Sequence, residues 1–357
     1  MNKQENLLTQ NQLTFLLFSF VVGTGILKLP NAVVETAGQD AWISAIIALI
    51  YPIYLILIAS YIINKHPKEN ILSLSKKYFG SLLGSILNFI FMMEFLITTV
   101  LIVSDFIILI KTYIVNFLTP LKIAIVAIFI TAYGAYKGLK VLGKTSELIS
   151  YIFIVVILFS ISALKYGRIL NLQPFLSSGL SNILKATITT GYSYHGWEAL
   201  LLFYPYVEDT KAIKKSALKA VGLTGIIYVW VIFVTIFYLG IDIIPKSYWS
   251  FILVYESIHV PIINNFRYIF MFVWILISLR TSAVNYFAVA FNLNHLTKID
   301  IKKLCLFIYP FVFYLSLKLL DRILRAKIVE LSIPVFIIFD LIFFTLTALL
   351  IRIKNKN

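Results

Sequence analysis

The sequence carries little charge. Only 13% of its 357 residues are Asp, Glu, Lys or Arg, whereas 60% are hydrophobic and the mean hydropathy is +0.93. Soluble domains average about 25% charged residues, so this scarcity excludes an ordinary soluble fold.

Cysteine and recognisable catalytic motifs are also scarce. The single cysteine, Cys305, excludes a disulfide within the chain. No cluster of His or acidic residues has the spacing of metal ligands, and no nucleophile motif is present. We therefore expect no enzymatic activity, no cofactor and no metal site.

Acidic residues are outnumbered by basic ones. The chain has 16 Asp and Glu against 31 Lys and Arg, for a net charge of +15. In a soluble protein this excess would indicate nucleic acid, but the positive-inside rule explains it better here, so no nucleic-acid partner is expected. The distribution of the basic residues among the loops favours an orientation with both termini in the cytoplasm. The segment KLLDRILRAK, residues 318–327, runs against this bias.

What the sequence does have is a series of apolar runs of roughly 20 residues, each long enough to cross a hydrocarbon core of about 30 Å. The runs do not alternate as strands would. They predict an all-α polytopic membrane protein in which one transmembrane domain spans residues 1–357. The ten predicted spans cover residues 12–35, 41–63, 80–110, 120–138, 145–165, 181–205, 214–240, 264–294, 302–320 and 328–351.

Two of these spans contain an interruption. Span one includes VVGTGILKLP, residues 21–30, and span six includes TTGYSYHGWEALLLFYP, residues 189–205. Matched interruptions five spans apart predict two inverted repeats, at about 12–165 and 181–351, with a binding site at their interface. The alternative for the glycines of span one is close helix packing.

The interruptions suggest the chemistry of the site. Unwound backbone is tolerated in a membrane only where it faces a cavity or ligand, and the half-helix ends carry opposite partial charges. Free carbonyls suit an ammonium and free N–H groups suit a carboxylate, so we predict a zwitterion such as an amino acid and disfavour polyamines. The predicted ligand-binding residues are Gly23, Thr24, Gly25, Tyr192, Ser193, His195 and Gly196.

The stretches GTGILKLP and YSYHGWEALLLFYP, together with the ten spans, resemble the spore germination permease family. These proteins are the B subunits of GerA-type germinant receptors, within the amino acid–polyamine–organocation superfamily. The resemblance implies a LeuT-type fold and a nutrient sensor of the spore inner membrane that works with an A subunit and a lipoprotein C subunit. The matching residues are Gly23, Gly25, Pro30, Gly196, Glu198 and Pro205, whereas Lys28 departs from the pattern.

Ionisable side chains within the spans are further candidates, because charge in lipid is costly. Glu198 follows the interruption of span six, where a helix N-terminus favours a carboxylate. Glu94, Thr98 and Asp105 share one face of span three. These residues could contact the ligand or form a proton or ion path; helix capping and interhelical hydrogen bonds are the structural alternatives.

Span eight presents two options. Ser278, Thr281, Ser282 and Asn285 share one face, where sodium-coupled relatives bind an ion. Arg280 points nearly opposite, so we expect Thr281 and Ser282 to line span one and Arg280 to pair with Asp340, or else with Glu94. With the opposite helix rotation, the Arg280 guanidinium would replace a bound cation. For Lys28 we expect either a ligand carboxylate or the outer headgroups as its partner.

Three functions remain open at this point. The first is a receptor subunit that binds a nutrient, most simply an amino acid, and signals germination. The second is a proton- or sodium-coupled amino acid transporter, and the third is a water or ion conduit along span three.

Overall fold

The computed structural model describes residues 7–258 and 265–354. Across these ranges the chain is almost entirely helical, and its sole β-type pairing is an isolated bridge between Leu8 and Val207. The all-α prediction is therefore confirmed.

Each of the ten predicted ranges overlaps at least one α-helix. In chain order the α-helices are α1 (Gln10–Val21), α2 (Leu29–Ala37), α3 (Ala41–Ile47), α4 (Ile50–Lys65), α5 (Ile71–Phe79), α6 (Ser81–Tyr113), α7 (Pro120–Tyr136), α8 (Leu139–Phe159), α9 (Gly179–Ser193), α10 (Leu200–Phe203), α11 (Ile213–Leu239), α12 (Ser250–Val254), α13 (Arg267–Thr297), α14 (Ile301–Lys318) and α15 (Arg322–Lys354).

Six helical segments of the described chain are long and apolar enough to cross a bilayer, which makes the protein a multi-pass membrane protein. They are Leu29–Lys65, Ser81–Tyr113, Leu139–Lys165, Thr210–Leu239, Arg267–Thr297 and Arg322–Lys354. The helix α7 is apolar but shorter. Predicted span six is not among the six, because its interruption divides it into short helices, and only residues 29–35 of span one are included, at the start of the segment Leu29–Lys65.

The centre of the bundle is built around α13 and α6, which pack against each other. The helix α1 lies between α8 and α11 and also contacts α13. A reciprocal capping box starts α1: the Thr9 hydroxyl accepts from the Gln12 N–H, and the Gln12 side chain accepts from the Thr9 N–H. This cap fixes where α1 begins, and hence how deep in the bundle its last residue, Val21, lies.

Segments that the charge bias assigns to one side of the membrane lie together in the structure. The Leu8 N–H donates to the Tyr206 carbonyl at 2.8 Å, and the Glu208 N–H donates to the Leu8 carbonyl at 3.0 Å. The Lys140 ammonium lies 3.8 Å from the Glu208 carboxylate. The beginning of the described chain therefore shares one end of the bundle with the connections that follow α7 and α10. That this end is cytoplasmic stays a prediction.

Two connecting segments contain short helices. Residues 69–80 contain α5, which packs on α6. Residues 241–264 contain a 3-10 turn at Ile244–Lys246 and the short helix α12; residues 259–264 lie outside the described ranges. Asn31 on α2 donates to the carbonyls of Ile244 and Ser247 at 2.7 and 2.6 Å, which ties this connection to the first interrupted segment.

Candidate functional site

Helical structure is interrupted at both predicted places. The helix α1 ends at Val21, a 3-10 turn covers Thr24–Leu27, and α2 follows at Leu29. The helix α9 ends at Ser193, and a 3-10 turn at Trp197–Ala199 leads into α10. Between them the backbone changes direction at Gly196, whose φ is +128°.

The two interruptions touch each other at Gly196. A Cβ atom at this position would lie 2.9 Å from the backbone carbonyl group of Phe20 on α1. Because L side chains rarely adopt such a φ and backbone cannot move aside as a flexible side chain can, only glycine fits here. Gly196 therefore lets the second interruption pack directly against the first.

Tyr228 on α11 joins the two interruptions, and the sequence analysis missed it. Its hydroxyl lies 3.2 Å from the Val21 carbonyl and 3.0 Å from the Ser193 carbonyl, the ends of α1 and α9. Its ring stacks on Tyr194 with centroids 4.9 Å apart. The available signal was a phenol in the middle of an apolar span, where a hydroxyl needs a partner.

The prediction for Arg280 was wrong. Arg280 pairs with neither Asp340 nor Glu94: its guanidinium donates to the Val22 carbonyl at 3.0 Å and to the Ser150 hydroxyl at 2.9 Å. Thr281 donates to the same Val22 carbonyl at 2.9 Å. A long arginine and a short threonine can therefore flank one acceptor although they are neighbours in the sequence. The guanidinium lies where the alternative rotation placed a cation substitute.

The rest of the hydroxyl face of α13 does not reach the interruption. Ser282 donates to the Ser278 carbonyl at 2.8 Å, and Asn285 donates to the Thr281 carbonyl at 2.9 Å. Ser278 donates to the Trp274 carbonyl at 2.8 Å. These three side chains donate to carbonyls of their own helix, whereas the Thr281 hydroxyl donates to span one.

A cavity of about 390 Å³ lies between the interruptions, and we call it the central cavity. Its volume is in the range of small-molecule sites, about 300–1,000 Å³. Most of the predicted ligand-binding and path residues line it: Gly23, Thr24, Gly25, Thr98, Asp105, Tyr192, Ser193, His195 and Thr281. The lining does not include Glu94, Gly196, Glu198, Arg280 or Ser282.

A larger groove, of about 640 Å³, has a different character. It runs between α3 and α11. Its lining consists of two glycines and apolar side chains, and one of these side chains, Ile226, is exposed. Such a surface suits lipid tails, so the central cavity is the better candidate site.

A charged network closes one end of the central cavity. The Lys28 ammonium lies 2.8 Å from the Asp105 carboxylate, which also forms an ion pair with Arg325. The Thr24 hydroxyl donates to the other Asp105 oxygen at 3.3 Å. The Tyr248 hydroxyl accepts from Lys28 at 2.8 Å and from Arg325 at 3.3 Å. The partner of Lys28 is therefore a carboxylate of the protein, which neither predicted alternative included.

Arg325 explains the segment that opposed the positive-inside bias. Its side chain is buried and turns inward to Asp105 instead of lying in a loop. Three basic residues, Lys28, Arg322 and Arg325, line the cavity against one acid, Asp105. This end of the cavity consequently carries an excess of positive charge.

Four candidate side chains, of which His195 also lines the cavity, meet beside it and form what we call the buried cluster: Glu94, His195, Glu198 and Asp340. The His195 Nε2 atom lies 2.7 Å from Glu94, 3.9 Å from Glu198 and 4.0 Å from Asp340. Residue spacing along the chain did not reveal this cluster, because α6, the interruption between α9 and α10, and α15 supply its four residues. The three polar residues of α6 therefore lie at two places: Glu94 belongs to the buried cluster, whereas Thr98 and Asp105 line the central cavity.

Glu198 also has the capping role considered as its structural alternative. One of its carboxylate oxygens accepts from the Gly196 N–H at 2.9 Å. The other oxygen has no hydrogen-bond partner among the described residues. Capping thus accounts for the hydrogen bonding of one carboxylate oxygen and leaves the role of the other oxygen open.

Long apolar helices around a ligand-sized cavity define a multi-pass membrane protein with an internal candidate site. Residues 7–323 match the profile of the family described as "Spore germination protein", so the chain belongs to the spore germination permease family. It is 24% identical over 308 residues to the spore germination protein GerQB of Bacillus cereus, which covers 86% of this chain and 85% of that protein.

Relatives from a second organism agree. The spore germination protein YndE of Bacillus subtilis (strain 168) is 24% identical over 321 residues, covering 87% of this chain and 86% of the relative. The spore germination protein KB of the same organism is 23% identical over 258 residues, covering 70% and 67%. These names describe germination proteins and mention no catalytic activity.

Proposed function

We propose that the chain is the membrane subunit of a spore germinant receptor and that it binds a small carboxylate-bearing nutrient, an amino acid, in the central cavity. In this proposal the ten helical spans form two inverted five-helix repeats of the LeuT type, and α1–α2 and α9–α10 are the broken helices. The subunit lies in the spore inner membrane with both termini in the cytoplasm. It passes ligand occupancy to an A subunit and a lipoprotein C subunit.

The observation that carries the nutrient proposal is the position and charge of the cavity. It lies between two interrupted helices, and Lys28, Arg322 and Arg325 outnumber Asp105 in its lining. A ligand carboxylate would offset this positive charge, and charge-assisted hydrogen bonds to Arg and Lys are among the stronger ones in proteins.

The backbone carbonyls that could bind the ammonium group of the ligand already have hydrogen-bond partners within the protein. The Val21 and Ser193 carbonyls already lie within hydrogen-bond distance of the Tyr228 hydroxyl, and the Val22 carbonyl accepts from Arg280 and Thr281. These are the carbonyls that an ammonium was predicted to use. Recognition should therefore depend more on the carboxylate than on the ammonium.

A comparison of three ligand types tests this proposal. The purified protein is screened with amino acids by thermal shift, and a stabilising amino acid is then compared with its deaminated carboxylic acid and its decarboxylated amine. We expect the carboxylic acid to retain most of the stabilisation and the amine to lose it. Stabilisation by amines or polyamines alone would contradict the proposal.

Uptake into liposomes that contain the same protein separates a receptor from a transporter. A receptor subunit binds the ligand without accumulating it. Concentrative uptake of the ligand that binds would assign the protein to transport instead.

A further inference from the structure

The buried cluster combines side chains that are distant in the sequence. Glu94 comes from α6, His195 and Glu198 come from the interruption between α9 and α10, and Asp340 comes from α15. One ligand atom from each residue lies within 4.8 Å of all the others. The exposed fractions of the side chains are 0% for Glu94 and Asp340, 1% for Glu198 and 9% for His195.

The polar atoms of the cluster do not satisfy one another. Among the described residues, both oxygens of Glu94, both oxygens of Asp340, one oxygen of Glu198 and the His195 Nε2 atom are buried without a hydrogen-bond partner. The Nε2 atom is 2.7 Å from a Glu94 oxygen, yet the contact is not directed as a hydrogen bond. Buried polar atoms are nearly always paired, so this set requires a partner.

A fifth group supports the same conclusion. The Tyr51 hydroxyl on α4 is buried, has no hydrogen-bond partner among the described residues, and interacts electrostatically with Asp340, Glu198 and Glu94. It is a neutral group from another helix, yet its oxygen too is left unpaired beside the carboxylates. A further buried polar atom near the cluster is therefore without a partner among the described residues.

The charges around the cluster point to a cation. Three carboxylates and one imidazole are collected in a low-dielectric interior, where unpaired charge is expensive. The nearby basic side chains are engaged elsewhere: Arg280 bonds Val22 and Ser150, and Lys28 and Arg325 pair with Asp105. A bound positive ion would compensate the carboxylates and satisfy their free lone pairs together.

We propose that Glu94, His195, Glu198 and Asp340 bind one divalent transition-metal ion, of which Zn²⁺ and Mn²⁺ are the probes. Carboxylate oxygens together with an imidazole nitrogen form a typical ligand set for first-row divalent metals. Zinc–ligand distances of about 2.0–2.2 Å place the ligand atoms of a tetrahedral site about 3.3–3.6 Å apart. The ligand atoms of the cluster lie within 4.8 Å of one another, so the carboxylate side chains must rotate inward to close around an ion.

The Gly196 N–H prepares Glu198 for this role. It holds one carboxylate oxygen at 2.9 Å and leaves the other directed to the cluster. Hydrogen bonds of this kind orient metal-binding carboxylates in other proteins. Because His195 also lines the central cavity, a metal here would connect the second interruption to α6 and α15 beside the nutrient site.

The test uses full-length protein purified in detergent, stripped with a chelator and passed through gel filtration. Zn²⁺ or Mn²⁺ is then titrated by calorimetry, and the retained metal is measured by elemental analysis. We expect about one equivalent per chain for the wild type. Glu94→Gln and Asp340→Asn, which keep side-chain size, should each weaken the affinity at least tenfold.

Three controls decide the interpretation. Glu330→Gln removes an exposed acid from the same helix as Asp340, and His66→Gln removes the partly buried His66–Glu69 pair as a competing metal site; both variants should bind metal as the wild type does. Thermal unfolding of each metal-free variant checks that it is folded. Absence of retained metal in the wild type, or equal retention by Asp340→Asn, would overturn the proposal. It would leave the nutrient proposal untouched, since neither measurement involves the nutrient.

Discussion

The buried position of Arg325 explains why the charges of residues 318–327 do not follow the positive-inside bias. It lies in a stretch whose charges oppose the positive-inside bias, yet it is buried and paired with Asp105. Together with Lys28 it gives the central cavity a basic end that the sequence analysis assigned to a loop. A carboxylate ligand would meet this pair first.

Replacing Arg325 tests the basic end directly. In Arg325→Gln, Asp105 keeps its Lys28 partner, while the cavity loses one positive charge. We expect the dissociation constant of the stabilising amino acid to rise at least tenfold, which corresponds to about 1.4 kcal/mol. Lys327→Gln on the same helix is the control, because Lys327 is exposed and lies outside the cavity lining. Equal affinities of the two variants would contradict the assignment of the carboxylate end.

At the level of single residues, the sequence predicted the glycines better than the charged side chains. Gly23, Gly25 and Gly196 were identifiable because their meaning is local: a glycine in an apolar span marks a break or a close approach. The positions of Arg280 and Asp340 depend on helix rotation and on the reach of a long side chain, which spacing alone does not determine. Tyr228 was missed because its role exists only once α1 and α9 meet.

The interruption between α9 and α10 is the element on which both proposals depend. It supplies His195 and Glu198 to the buried cluster, and the end of α9 just before it supplies Tyr192 and Ser193 to the central cavity. Its path requires Gly196, which combines a positive φ with a close approach to Phe20. A side chain here would push the two interruptions apart.

Two glycine substitutions separate this requirement from a general effect on helix stability. Gly196→Ala should lower the free energy of unfolding by about 1–3 kcal/mol, the cost of one strained backbone position. Gly191 lies in α9, where a Cβ atom would meet nothing within 4 Å. Gly191→Ala should therefore leave the free energy of unfolding unchanged or raise it by up to about 1 kcal/mol. Thermal unfolding of both variants provides the measurement; similar midpoints would mean that the interruption tolerates a side chain at 196.

Among the elements, the sequence predicted the helices and their breaks but not how they assemble. Hydrophobic length predicted the bounds of some long helices to within a few residues, as with residues 214–240 and α11 (Ile213–Leu239). The buried cluster was invisible, because Glu94 and Asp340 reach His195 from helices far apart in the chain. Spacing rules find metal ligands only when a short segment supplies most of them.

For the whole molecule, the charge bias makes a testable statement about topology. Lys211 and Lys246 are exposed and flank opposite ends of α11. The proposed orientation places Lys211 in the cytoplasm and Lys246 outside.

Cysteine labelling checks this orientation. In a Cys305→Ala background, Lys246→Cys should react with an impermeant maleimide in intact cells that express the protein. Lys211→Cys should react only after permeabilisation. The reverse pattern would place both termini outside and would refute the positive-inside assignment.

The nutrient is proposed to bind between the two interrupted helices, and a substitution at Gly25 tests this position most directly. Gly25 lines the central cavity, and a Cβ atom there would meet nothing within 4 Å. A valine at this position therefore places its Cβ atom in open cavity space, where the ligand is proposed to bind. Gly222 on α11 is equally open but borders only the apolar groove, so Gly222→Val is the matched control.

The deciding measurement is the dissociation constant of the stabilising amino acid for these two variants and the wild type, determined by calorimetry on protein with matched thermal stability. The account predicts that Gly25→Val loses detectable binding while Gly222→Val binds as the wild type does. Wild-type affinity in Gly25→Val would contradict it and would place the ligand elsewhere in the molecule.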